Sequence, residues 1–165
     1  MKRVIVKSLF DTFEYVMQHY YPAGLGEMVE RSDTYAIISI QDTHTGGFGV
    51  TFTPSQYCQD VLTLYFDDVI SDVDGAVLFT DEMAKQIIAF IKKNRKVETL
   101  LVHCYAGQSR PRAVSAFAVK MLCWAEIIQD ISRRVIRTCM CMTCRRRCVC
   151  RNTKKSITES NSNSR

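Results

Sequence analysis

Apolar and polar residues follow one another along the first 122 positions in blocks that predict alternating strands and helices. Short apolar runs predict buried strands at residues 1–7, 35–40, 51–54, 61–66 and 100–103. Apolar residues at spacings of three and four predict helices at residues 8–21, 80–93 and 113–122. Strands that alternate with helices form sheets that are at least partly parallel. We therefore predict an α/β fold in three layers, with a central, mostly parallel sheet flanked by helices.

Capping residues support the predicted helix boundaries. Ser8 and Thr80 stand immediately before apolar periodic segments, where a side-chain oxygen can accept a hydrogen bond from the first turn. Pro22 follows the first helix and predicts its end. Pro111 suits the first turn of the third helix, because the N–H that proline lacks has no intrahelical partner there.

The composition is ordinary for a globular protein, with 47% hydrophobic and 24% charged residues in 165 positions. No apolar run approaches the roughly 20 residues of a membrane span. The basic start at residues 1–7 has too short an apolar stretch for a secretory signal, which favours a first strand and a cytoplasmic protein without membrane partners.

Charge is distributed unevenly and suggests a boundary near residue 124. Residues 1–124 contain 12 Lys and Arg and 14 Asp and Glu, a net charge of −2. Residues 125–165 contain 10 and 3, a net charge of +7. We expect one domain at residues 1–124 and an atypical basic, cysteine-rich tail at residues 125–165.

The strongest chemical signal is the segment Leu100–Arg110, in which an apolar run ends at Cys104 and an arginine follows six residues later. A strand, a tight glycine-containing loop and a helix N-terminus together form an anion site, because their N–H groups converge on one point. A thiol there is favoured as the nucleophilic thiolate. Arg110 offers a planar fork that matches two phosphate oxygens. We call residues 104–110 the anion loop.

His103-Cys104 to Arg110 resembles the His-Cys-x5-Arg signature of the cysteine-based protein tyrosine and dual-specificity phosphatases, most of all the compact bacterial and phage members. The resemblance implies that Cys104 attacks phosphorus and that Arg110 holds the phosphoryl oxygens. The N–H groups of the loop would bind phosphate with it, from Tyr105, Ala106, Gly107, Gln108, Ser109 and Arg110. His103 would support the loop through backbone hydrogen bonds. This chemistry requires no metal or other cofactor.

A general acid must come from another part of the chain, because the leaving oxygen needs a proton. Residues 67–75, which we call the acidic loop, follow the predicted strand 61–66 and contain four aspartates. Relatives carry Phe-x-Asp-Ile/Val in this region, which Phe66 to Val69 resembles, and this nominates Asp68. Asp67, Asp72 and Asp74 stay open as alternatives. A metal site in this loop is a weaker hypothesis, since the spacing lacks the full EF-hand pattern.

Several further residues carry expectations. Ser109 is expected to donate to the thiolate or to loop carbonyls. Pro111 stands where many relatives have a hydroxyl that eases departure of the thiolate, so slower breakdown of the phosphocysteine is expected. Cys58 and Cys123 are expected to pack as small apolar residues, with a redox pairing to Cys104 if either lies close.

Three hypotheses compete for the tail, where five of the eight cysteines fall. Cys141-x-x-Cys144 with Cys148-x-Cys150 has the spacing of a metal knuckle. A basic, partly disordered arm would bind nucleic acid or acidic partners. Alternatively the tail is out of frame: a one-nucleotide shift of suitable codons for residues 125–143 gives an Asn-Pro loop and a tyrosine-bearing segment similar to the ending of relatives.

These observations predict a phosphomonoester hydrolase that acts through a phosphocysteine, a protein tyrosine or dual-specificity phosphatase. Its partner would be a phosphorylated protein, with phosphoinositides and RNA 5′-phosphates also open. Two alternatives are a non-catalytic phosphate-binding module and a rhodanese-like sulfur carrier, which also places cysteine on a strand–loop–helix anion site.

Overall fold

The computed structural model describes residues 1–26, 30–44 and 47–123, and Met1–Leu122 forms one compact unit. Strands and helices alternate along it in the order β1 (Arg3–Ser8), α1 (Leu9–Tyr20), β2 (Tyr35–Gln41), β3 (Cys58–Tyr65), α2 (Asp81–Lys93) and β4 (Thr99–Cys104). A third helix, α3, follows at residues 110–123. The tail hypotheses concern residues outside the described part of the chain.

The four strands form one parallel sheet in the order β1-β4-β2-β3. In its register Leu101 of β4 lies between Ile5 of β1 and Ile37 of β2. β2 and β4 are buried at every position, as expected for central strands covered on both faces. The carboxyl ends of all four strands therefore meet at one edge, where the anion loop begins.

Alternate strand residues pack on opposite faces, which gives the three layers. One face carries Ile38 and Val102 in a core completed by α2 and α3 residues such as Ile91 and Val114. The other face packs against α1, with these buried members: Val16, Tyr20, Tyr35, Ile37, Tyr57, Cys58 and Leu101. The predicted α/β fold with a parallel sheet is confirmed.

The two predicted N-caps, Ser8 and Thr80, match the structure. The Ser8 hydroxyl accepts a hydrogen bond of 3.1 Å from the backbone N–H of Asp11, and Thr80 accepts one of 3.3 Å from Met83. α3 begins at Arg110, so Pro111 lies in its first turn. No helix among the described residues has the length and apolar character needed to cross a bilayer.

Two expectations differ from the structure. Residues 51–54 are not a strand: Pro54 lacks an N–H for ladder pairing, and these residues are mostly exposed. Cys123 is exposed rather than packed, whereas Cys58 is buried and burial raises its thiol pKa to about 11. Cys58 is the first residue of β3 and lies beside Tyr35 of β2, which in turn lies beside Thr99 of β4. Thr99 precedes Cys104 by five residues along β4. That offset of roughly 16 Å along the strands excludes a disulfide between Cys58 and Cys104.

Candidate active site

The anion loop connects the last residue of β4 to the first residue of α3. Cys104 is only 2% exposed, and the backbone N–H of Gly107 donates to its Sγ at 3.2 Å. Gly107 adopts φ +70°, a left-handed conformation that lets the loop curl back over the sulfur. This contact places a backbone donor on the sulfur, as in loops whose N–H groups converge on an anion.

The end of β1 packs closely against Gly107 of the anion loop. A Cβ built on Gly107 would lie 2.5 Å from the backbone N of Ser8 and 2.7 Å from the carbonyl carbon of Lys7. The backbone N–H of Leu9 donates to the carbonyl of Tyr105 at 3.1 Å. The β1–α1 junction therefore fixes the position of the loop, and only glycine fits at position 107.

Arg110 is held by two acceptors from neighbouring strand ends. Its Nη1 donates to the Phe66 carbonyl at 2.7 Å and forms an ion pair of 2.5 Å with Asp42 Oδ1. The side chain is 10% exposed, and its buried Nε has no hydrogen-bond partner among the described residues. Both of these contacts use Nη1. The guanidinium has five N–H donors, so those on its other nitrogens are left for an oxyanion.

Asp42 was missed by the sequence reasoning, although a signal for it exists. It directly follows β2, and β2 lies beside β4 in the sheet. Carboxyl ends of adjacent parallel strands meet, so an acidic residue after β2 comes close to the loop that follows β4. The strand order, which the sequence pattern does not show, was the missing information.

Asp67 is buried, and its carboxylate is hydrogen-bonded to neighbouring segments. It is 6% exposed, and its carboxylate accepts hydrogen bonds from the Thr43 hydroxyl, the Thr43 N–H at 3.1 Å and the Val77 N–H at 2.9 Å. The Thr43 hydroxyl and the Val77 N–H hold the pKa of Asp67 down at about 2. An ionised, fully bonded carboxylate anchors the base of the acidic loop and is a poor proton donor.

Asp68, the nominated acid, contacts the anion loop directly. Its Oδ1 accepts a hydrogen bond of 3.0 Å from the Ser109 hydroxyl, and its side chain is exposed. Asp72 and Asp74 are also exposed, and among the described residues no hydrogen bond or ion pair joins either of them to the anion loop. Of the four aspartates, Asp68 is the one whose carboxylate bonds to the loop that carries Cys104.

His103 lies under the site, fully buried in β4. Its ring nitrogens meet no hydrogen-bond partner among the described residues, and the ring packs edge-on against Phe52 at 5.1 Å between centroids. Burial lowers its pKa to about 4, so the imidazole is neutral near pH 7. The expected support of the loop by backbone hydrogen bonds from this side chain stays a prediction, and the contact described here is packing against Phe52.

Aromatic side chains from three segments meet at Tyr105 of the anion loop. Tyr105, next to the cysteine, is 52% exposed and contacts Phe10 edge-on at 6.1 Å and Phe48 at 5.1 Å between ring centroids. Phe10 is 68% exposed and lies in the first turn of α1, whereas Phe48 is half-buried and comes from the β2–β3 connection. We call these three residues the aromatic rim. No sequence signal predicted it, because its members are distant in the chain.

A cavity of about 440 Å³ adjoins this site. Asp68, Ser109 and Arg110 belong to its wall, and most of the remaining lining is apolar. Its apolar wall is formed mainly by Phe66, Val69, Phe79, Ile87, Val114 and Phe117. The volume and the mixture of an apolar wall with a few polar groups are typical of small-molecule pockets.

No group of three His, Cys, Asp or Glu side chains in residues 1–26, 30–44 and 47–123 is arranged to hold a metal ion. Comparisons of the chain with protein-family models, curated proteins and solved structures gave no match.

Proposed function

We propose that this chain is a cysteine-dependent phosphomonoester hydrolase, a protein phosphatase of the tyrosine or dual-specificity type. The observation that carries the proposal is that three functional groups meet at the anion loop: a thiol, a guanidinium and a carboxylate. A buried thiol accepts an N–H, an arginine keeps donors for an oxyanion, and a carboxylate contacts the residue before that arginine. Nucleophile, electrostatic clamp and acid are the parts that phosphoryl transfer needs.

The reaction would proceed in two balanced steps. In the first, the Cys104 thiolate forms a bond to phosphorus while the bond to the leaving oxygen breaks, and Asp68 gives that oxygen its proton. In the second, Asp68 takes a proton from water, whose oxygen attacks phosphorus and displaces the thiolate as phosphate leaves. Arg110 and the loop N–H groups hold the phosphoryl oxygens during both steps.

The aromatic rim supports an aryl phosphate such as phosphotyrosine as substrate. The exposed rings of Tyr105 and Phe10 in this rim offer edge-on and offset packing to an aromatic leaving group. We propose a phosphorylated protein as partner and the cytoplasm as the location, because a nucleophilic thiol must stay reduced. Binding of nucleic acid through the basic tail stays a prediction from sequence.

The test is hydrolysis of p-nitrophenyl phosphate in the presence of reductant and chelator. Cys104→Ser should abolish turnover, and Asp68→Asn should lower kcat about 100-fold, the usual contribution of a general acid. Asp72→Asn, a matched change of an exposed carboxylate in the same loop, should leave turnover unchanged. Turnover that survives Cys104→Ser would refute the proposal.

A non-catalytic phosphate-binding module is the second candidate, favoured by Pro111, which removes the hydroxyl expected after the arginine. One experimental result distinguishes the binding module from the hydrolase. A folded wild-type protein that binds orthovanadate but releases no p-nitrophenol would support the binding module and contradict the hydrolase.

A further inference from the structure

The hydrogen bond between Ser109 and Asp68 joins two loops that are far apart in the sequence. Ser109 lies in the anion loop directly before Arg110, and Asp68 lies in the acidic loop. The Ser109 hydroxyl donates to Asp68 Oδ1 at 3.0 Å. From sequence, this hydroxyl was expected to donate to the Cys104 thiolate or to loop carbonyls. Its observed acceptor is a carboxylate, so its role differs from the expected one.

The two residues that precede Asp68 are held by contacts with other segments. The carbonyl of Phe66 accepts from Arg110, and the Asp67 carboxylate is held by Thr43 and Val77. The side chain of Asp68 is exposed, and the terminal torsion of an aspartate is broad. Within the described part of the chain, the bond to Ser109 is therefore the contact that limits the rotation of this carboxyl group.

We propose that Ser109 is a positioning residue for Asp68. Its hydroxyl donates a hydrogen bond to Oδ1, so that Oδ2 is the oxygen that exchanges a proton with the substrate. This inference rests on the proposed hydrolase. In the first step the Oδ2–H bond breaks, its electron pair stays on Oδ2, and the proton passes to the leaving oxygen. In the second step Oδ2 takes a proton from water. The Ser109 donor serves Oδ1 throughout.

The proposal predicts an effect that depends on the leaving group. General-acid catalysis matters most when the leaving oxygen is strongly basic, as in phenyl phosphate, and least when it is weakly basic, as in aryl phosphates with several electron-withdrawing groups. We expect Ser109→Ala to lower kcat/KM about three- to tenfold for phenyl phosphate, the usual effect of one hydrogen bond, and to have little effect on the activated ester.

Three variants make the test specific. Ser109→Thr keeps the hydroxyl and should restore most of the activity towards phenyl phosphate. Ser71→Ala, an exposed serine of the acidic loop, is the matched control and should behave as wild type. Added to Asp68→Asn, the Ser109→Ala change should cause no further loss, because residues that act through one another are not additive.

A purely structural role of Ser109 in the anion loop gives different results. It would slow all esters equally, weaken inhibition by orthovanadate and add fully to Asp68→Asn, and any of these results would overturn the proposal. The same experiment separates it from the proposed function. A wild-type protein without turnover refutes both. A leaving-group-dependent loss in Asp68→Asn that is absent from Ser109→Ala refutes the role of Ser109 alone.

Discussion

Gly107→Ala tests the packing of the anion loop on the end of β1. The new Cβ would lie 2.5 Å from the Ser8 nitrogen and 2.7 and 2.8 Å from the carbonyl carbon and oxygen of Lys7. All three are backbone atoms of a parallel sheet and its junction with α1, so no flexible side chain can yield. The neighbouring backbone must move by at least 0.5 Å to restore a tolerable 3.0 Å.

The magnitude has two parts. An alanine in the left-handed region costs about 1 kcal/mol. Overpacking against fixed backbone typically costs about 2 kcal/mol more. Gly107→Ala should therefore lower the free energy of unfolding by about 3 kcal/mol. It should also reduce activity, because the Gly107 N–H that contacts Cys104 moves with the loop.

Gly49→Ala is a control matched in backbone conformation. Gly49 has φ +67°, close to the +70° of Gly107, but a Cβ there would meet nothing within 4 Å. It should lose only the conformational part, about 1 kcal/mol. Urea unfolding followed by far-UV circular dichroism under reducing conditions measures both variants. Equal losses in the two would refute the close packing of the anion loop on β1.

Three further predictions concern the surroundings of the site. Asp42→Ala should lower kcat/KM about 30-fold, since losing a charged hydrogen bond of about 2 kcal/mol releases Arg110; tighter inhibition by orthovanadate would contradict this. The native pKa of His103, about 4 against 6.5 in the unfolded chain, means that only the unfolded state binds this proton between those values. Stability should therefore fall by about 3 kcal/mol as pH drops from 6.5 to 4, and His103→Asn should remove that part of the pH dependence of urea unfolding. Pro111→Ser should speed phosphocysteine breakdown; an unchanged burst in rapid-quench assays would show that the proline does not limit this step.

The local pattern of the chain was sufficient to predict the fold class and the nucleophile loop. Apolar spacing predicted all seven described strands and helices within three residues of their observed bounds, with Ser8 and Thr80 as caps. It also predicted a strand at residues 51–54 that does not form, because an apolar run alone does not supply a paired edge. It also predicted the start of β3 three residues late. Cys104 and Arg110 were identifiable because strand, loop and helix are contiguous, so their geometry depends on neighbours in the sequence.

Contacts between separate loops were decided by the tertiary structure. The order β1-β4-β2-β3 brings Asp42 after β2 and the acidic loop after β3 to the edge where β4 ends. That same edge gives Asp67 and Asp68, adjacent in sequence, opposite environments: one carboxylate is saturated by Thr43 and Val77, and the other faces Ser109. Composition and periodicity carry no information about such pairings, because they depend on which strand ends become neighbours when the sheet assembles.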